Sequence, residues 1–103
     1  MTTGEFGEFL ACLYLDEQGL EIVSRNVVVA GGEVDIVARD HSTPVVVEVR
    51  TLTGSYHPLD AIDGDKRARV RRLAQALGIR RCDLIGVGIH QDHYVVHWEL
   101  NAI

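Results

Sequence analysis

The sequence predicts an α/β domain: one mixed β-sheet flanked by helices, in the order α-β-β-β-α-β-β. Three observations predict it. Two stretches carry apolar residues at helical spacing, and each stops at a glycine, Gly19 and Gly78. Five short runs rich in Val and Ile surround the second of them. With 103 residues and a 47% hydrophobic fraction, the chain is sized for one domain spanning 1-103 and has enough apolar matter for a core. A sheet with helices against it is the simplest way to hide these faces.

The elements follow in order. Residues 4 to 18 read as a helix whose apolar stripe is Phe6, Phe9, Leu10 and Leu13, with Tyr14 alongside. Leu20 to Ala30 reads as a strand, and Gly31-Gly32 as a turn. Glu33 to Arg39 alternates as a second strand, and Val45 to Thr51 forms a third. Asp40 to Pro44 is short and full of turn formers, so strands two and three should pair as a hairpin. Thr53 to Asp60, with Gly54, His57 and Pro58, reads as a loop. Asp60 or Asp63 caps the second helix, which runs to Leu77 on a weak stripe of Ile62, Val70, Leu73, Ala74 and Leu77. Cys82 to Ile89 and Tyr94 to Leu100 are the last two strands, joined by a turn at His90 to His93. A right-handed crossover through the second helix would join strand three to strand four.

Charge is unevenly spread. The formal net charge is -5, which argues against a general nucleic-acid binder, yet the distribution argues otherwise. The single lysine and six of the nine arginines fall between Lys66 and Arg81, with no acidic residue among them. Lys66, Arg67, Arg69, Arg71 and Arg72 make the second helix a candidate for phosphate contacts, or else a solvated face whose charges pair elsewhere. No apolar run approaches the ~20 residues of a membrane span. The start of the chain lacks the basic region of a secretory leader. Cys12 and Cys82 sit in apolar patterns and read as buried thiols of a reducing compartment, so a cytoplasmic location is expected. His90 and His93 flank an acid without a zinc-site spacing, and no nucleophile triad or phosphate-binding glycine loop is evident.

The informative residues are carboxylates. Glu33, Asp35 and Val37 should share one face of the second strand, and Val46, Glu48 and Arg50 one face of the third. Glu48 is a charge inside an otherwise apolar strand, which is costly without a partner, a metal or a function. Adjacent strands lie about 4.8 Å apart, so Asp35 and Glu48 can approach each other. Two arrangements fit: a shared Mg²⁺ or Mn²⁺ held by hard oxygen ligands, or an ion pair with Arg50 or Arg39 and no metal.

These residues carry a resemblance. Gly7-Glu8, Tyr14-Leu15, Gly19, Arg25-Asn26, Gly32-Glu33-Val34-Asp35-Ile36-Val37-Ala38, Val47-Glu48-Val49-Arg50-Thr51, Ala61, Lys66, Asp83 and Asn101-Ala102 resemble the YraN-like (UPF0102) family over nearly the whole chain. That family is similar to restriction-endonuclease-like proteins with the PD-(D/E)xK pattern, and to archaeal Holliday junction resolvases. The resemblance implies a restriction-endonuclease-like mixed β-sheet flanked by helices. It implies Asp35 and Glu48 as the pattern's acids, with Glu8 as a third carboxylate holding metal. Glu33 matches a glutamate peculiar to the YraN-like branch, with no role implied.

One departure bears on chemistry. The pattern's lysine is here Arg50, and the arginine usual two places later is Leu52. Arginine keeps the charge and clamps phosphate with two bonds, but it does not act as a base. Lys66 is the one lysine available in its place. The expected function is nucleic-acid binding on a nuclease-like fold, with weak Mg²⁺- or Mn²⁺-dependent phosphodiester hydrolysis using Glu48, Arg50 and Asp35. The expected partner is DNA, branched forms included, and a homodimer would suit a four-way junction. The alternative is an inactive DNA-binding or protein-interaction module.

Overall fold

Thr2 starts the first helix. Its hydroxyl accepts from the Glu5 N–H at 3.1 Å, and the Glu5 carboxylate accepts from the Thr2 N–H at 3.0 Å. This reciprocal capping box satisfies two donors that a helix start leaves open. The computed structural model describes residues 1–52 and 62–103. Helix α1 runs Thr3–Glu17, and the strands β1 (Glu21–Val29), β2 (Gly32–Asp40) and β3 (Thr43–Leu52) follow. Helix α2 (Gly64–Ala76) precedes β4 (Arg81–Ile89) and β5 (Tyr94–Glu99). Asp63 is the α2 cap, accepting from the Lys66 N–H at 2.8 Å. The expected loop over 53–60, and Asp60 with it, lies outside the described residues.

The sheet has the order β1-β2-β3-β4-β5, with β3 and β4 parallel and every other pair antiparallel. It is the expected mixed sheet with elements in the order α-β-β-β-α-β-β, and α2 makes the crossover that a parallel pair needs. The hairpin turns are tighter than the composition suggested. Ala30 and Gly31, both at positive φ, make the first, and β2 already begins at Gly32. Asp40 pairs with Thr43, so only His41 and Ser42 make the second.

Each face of the sheet carries one core. Leu10, Ala11 and Leu15 of α1 pack with Ile36, Ala38, Val45, Val47, Val49, Ile85 and Val87. Val70, Leu73 and Ala74 of α2 pack on the other face with Val34, Val46, Leu84 and Ile103. Alternation along β3 therefore sends odd residues toward α1 and even residues toward α2. Glu48 and Arg50 belong to the α2 side.

The expected stripe on α1 was only partly right. Phe6, Phe9 and Leu13 are 39%, 45% and 41% exposed, while Gly7, Leu10, Ala11 and Leu15 face the sheet. Small residues set this side. A Cβ built on Gly7 would stand 1.9 Å from Thr51 Oγ1 and within 3.3 Å of Thr51 Cγ2. Glycine therefore lets α1 approach β3 closely, and bulk is tolerated only on the flanks. Cys12 is likewise only half-buried, whereas Cys82 is buried, and both are free thiols.

Candidate functional site

The site is built where β2 parts from β3. Their ladder runs from Asp40↔Thr43 up to Ile36↔Val47 and stops there. At the next step the Asp35 side chain takes over: its Oδ2 accepts the Val49 N–H at 2.8 Å. Strict alternation also breaks at Asp35. Val34 packs in the α2-side core and Ile36 in the α1-side core, so Glu33, Asp35 and Val37 do not form one regular face. The split opens a cleft of about 400 Å³ lined by Glu8, Asp35, Glu48, Arg50, Thr51 and Lys66, among others.

These side chains arrive from four elements, α1, β2, β3 and α2, each for a local reason. Glu8 follows Gly7, whose contact with Thr51 sets α1 against β3. Glu48 comes from the even-numbered side of β3 and is 3% exposed. Lys66 lies one turn before the buried Val70 and therefore on the inward flank of α2. Its Nζ stands 3.2 Å from Glu48 Oε1, and Arg50 Nη2 stands 3.7 Å from the same oxygen. Arg50 Nε is buried and has no hydrogen-bond partner among the described residues.

Electrostatics in the cleft is contested. Burial pushes the Glu48 carboxyl up, and Asp35 pushes it further, against the pull of Lys66 and Arg50; the result is about 7. Glu8 is also raised, first by burial and then by the Asp35 charge, with Arg25 opposing. The Asp35 charge thus repels both Glu8 and Glu48 at this cleft. Among the described residues, though, no three His, Cys, Asp or Glu side chains converge closely enough to hold a metal ion. Asp35 and Glu48 line the cleft from the adjacent strands β2 and β3. Mg²⁺ is commonly held by one or two carboxylates, with substrate phosphate and water completing its shell, so this donor set fits a cation that binds together with phosphate.

A family model described as "Uncharacterised protein family UPF0102" matches residues 7–87, well over half of the chain and all six of these cleft residues. The chain belongs to the UPF0102 family. A UPF0102 protein of Paenarthrobacter aurescens is 47% identical over 75 residues, which cover 71% of this chain and 62% of that protein. One from an Arthrobacter species is 42% identical over 94 residues, covering 82% of this chain and 80% of its own length. This chain therefore matches less than two-thirds of the first relative. Among solved structures, the crystal structure of SSO0001 aligns with a TM-score of 0.53 at 14% identity, covering 94% of this chain and 50% of that one. That likeness is one of fold.

In this UPF0102 protein the basic helix does not present a single face. Lys66 turns into the cleft. Arg67 is half-buried and donates to the Ala102 carbonyl, and Arg72 donates to the Ala30 carbonyl at 3.2 Å. Arg69 and Arg71 are exposed. Arg39 pairs with Glu21 at 3.3 Å and takes no part in the site. Among the described residues no helix is long and apolar enough to cross a membrane.

Two residues of consequence were not read as such from the sequence. Asn26 of β1 has φ +52, and with its carboxamide nitrogen toward them it donates to Glu33 Oε1 at 3.0 Å and Glu8 Oε1 at 3.1 Å. The opposite amide orientation would set oxygen against oxygen. Asp83 is fully buried and accepts from Arg81 Nε and Nη2, Trp98 Nε1 and the Asn101 N–H, at 2.7 to 3.1 Å. It fastens β5 and the tail to β4, and is structural. A polar residue inside an apolar strand was the available signal for Asp83. For Asn26 the signal was the residue type, since asparagine adopts the left-handed backbone most readily after glycine, but its place inside a Val-rich run hides it.

Proposed function

We propose that this protein binds nucleic acid and that its cleft supports slow, Mg²⁺- or Mn²⁺-dependent hydrolysis of a phosphodiester. The observation that carries this reading is the convergence on buried Glu48 of Lys66 and Arg50, beside Asp35. A buried carboxylate answered by two cations from separate elements exceeds what one ion pair needs. Removing a phosphate's negative charges from water requires such cations.

Asp35 and Glu48, with Glu8 at the edge, would hold the divalent cation, which supplies polarisation of the phosphoryl oxygen and acidifies water. Arg50 carries a buried donor with no partner among the described residues, and its planar fork suits two phosphate oxygens. Lys66 is the residue that changes the outlook for chemistry. It presents a compact ammonium at the carboxylate that ends the pattern, which is the place the missing lysine would serve. Exposed Arg69 and Arg71 would meet flanking phosphates, which position a duplex without reading its sequence.

The test is a cleavage and binding assay with Mn²⁺ at low salt on duplex, single-stranded, flap and four-way-junction DNA. Cleavage should vanish with EDTA and with Glu48→Gln, and should fall at least about tenfold with Lys66→Met. Salt-sensitive binding without cleavage at any protein excess would reduce the reading to an inactive phosphate-binding cleft, the state that Arg50 favours. Absence of salt-sensitive binding would overturn it.

A further inference from the structure

We infer that Asn26 and Glu33 are positioning residues for the cleft, holding the Glu8 carboxylate beside Asp35. The inference rests on the function proposed above and gives Glu33 a role.

The backbone supplies the first argument. Among the described residues, four non-glycine positions have positive φ: Asn26, Ala30, His41 and Asn101. Three of them lie in turns, where a left-handed residue is needed to reverse the chain. Asn26 alone among these lies within a strand, between the paired positions Arg25↔Ile36 and Val27↔Val34. No turn requires the conformation there, and for a residue with a Cβ it costs about 1 kcal/mol or more. The strand therefore departs from regular geometry at the residue whose side chain meets Glu8.

The second argument is hydrogen-bond stoichiometry. A carboxamide nitrogen carries two protons, and here two carboxylate oxygens receive them, at 3.0 and 3.1 Å. Both bonds are charge-assisted and therefore directional. Glu33 fixes the rotation of the amide, and the amide fixes Glu8.

The third argument is what Glu8 would do otherwise. Asp35, Glu33 and Glu5 all repel it, and among its neighbours Arg25 attracts it. Without Asn26 the balance favours rotation away from Asp35. The backbone of Glu8 is already set by the Gly7–Thr51 approach, so the amide controls the remaining freedom, that of the side chain. This is the relation of an outer residue to a ligand, whose loss typically costs about 10- to 100-fold in metal affinity.

Asn26→Gly is the decisive variant, because glycine keeps the left-handed backbone and removes only the amide. Mn²⁺ binding by calorimetry on wild type, Asn26→Gly, Glu33→Gln and Asp35→Asn separates the roles. Asn26→Gly should melt no lower than wild type and bind Mn²⁺ about tenfold more weakly. Glu33→Gln keeps an oxygen acceptor but loses the charge that makes the bond to Asn26 directional, and should weaken Mn²⁺ binding by about threefold or more, less than Asn26→Gly. A metal-free readout runs alongside: the Asn26 side-chain amide signals in the ¹H–¹⁵N NMR spectrum should move in Glu8→Gln. Equal Mn²⁺ affinity in wild type and Asn26→Gly, with Asp35→Asn impaired, would overturn this inference and leave the proposed function standing. Amide signals indifferent to Glu8→Gln would overturn it as well. If wild type binds no Mn²⁺, the metal-dependent reading fails and the inference fails with it.

Discussion

Glu48 makes a prediction whose sign separates two accounts of the cleft. If its pairs with Lys66 and Arg50 dominated, the carboxyl would titrate below its ordinary 4.5 and stability would be lost on acidification. Burial and the neighbouring Asp35 instead raise it to about 7. The folded state then binds a proton that the unfolded state has already released, across the window between about 4.5 and 7. Glu48's contribution is therefore fully favourable below the unfolded value and is lost as pH rises through about 7. At about 1.4 kcal/mol per pKa unit, the difference between the two ends is on the order of 3 kcal/mol.

The measurement is urea denaturation of wild type and Glu48→Gln, at about pH 8 and about pH 5, without divalent ions. Glutamine keeps the shape and cannot ionise. Other titrating groups largely cancel in the difference between the two proteins, Glu8 among them, since burial and Asp35 raise it in both. Wild type should gain on the order of 3 kcal/mol relative to Glu48→Gln on going from the higher pH to the lower. A flat difference would mean that the two cations cancel the burial penalty. A wild-type loss on acidification would refute the reasoning, since it requires ion pairing to win. Saturating Mg²⁺ should shrink the effect if Glu48 is a ligand, because a cation favours the ionised form.

Three further outcomes follow from the geometry. Gly7→Ala should destabilise by about 1–3 kcal/mol in urea, because its methyl group lands on Thr51, and should weaken any function that needs Glu8. Asp83→Ala leaves the Arg81 guanidinium, the Trp98 N–H and the Asn101 N–H without their shared acceptor, and should cost about 3–5 kcal/mol, read by urea midpoint and by loss of the near-ultraviolet Trp98 signal. Replacing Arg69 and Arg71 by glutamine should flatten the salt dependence of DNA binding by about two phosphate contacts, whereas Arg72→Gln should act mainly on stability through its bond to Ala30.

Most of the fold was legible because local signals agreed. Asp63, Gly19 and Gly78 punctuate the helices where the apolar spacing changes period, and the Val-rich runs fell within a residue or two of the strands. The core face of α1 was not, because Phe6, Phe9 and Leu13 outweigh Gly7 and Ala11 in any hydrophobic stripe. Packing distance, not hydrophobicity, chose the face. Within the site, Glu48 stood out as a charge in a run of valines. Lys66 was legible in part: its spacing from Val70 puts it on the inward flank, yet composition groups it with the arginines of α2. The break in the β2–β3 ladder at Asp35 was illegible, since alternation continues in the letters while the backbone departs from it.

The two cations at Glu48 divide their roles by a test of opposite outcomes. Arg50 stands where the pattern has lysine, and Lys66 stands 3.2 Å from the same carboxylate oxygen. If Lys66 fills the lysine's place, Arg50→Lys adds nothing that the cleft lacks. It exchanges a fork with a buried donor for a point charge, so KM for DNA should rise several-fold while kcat holds. Lys66→Met should then abolish turnover and leave binding within about a factor of ten. If instead Arg50 is a lysine lost, Arg50→Lys should raise kcat by about 10²-fold or more and Lys66→Met should leave that gain intact. On the proposed function the first outcome is expected, because Lys66 is the nearer of the two cations to the Glu48 oxygen, at 3.2 Å against 3.7 Å for Arg50.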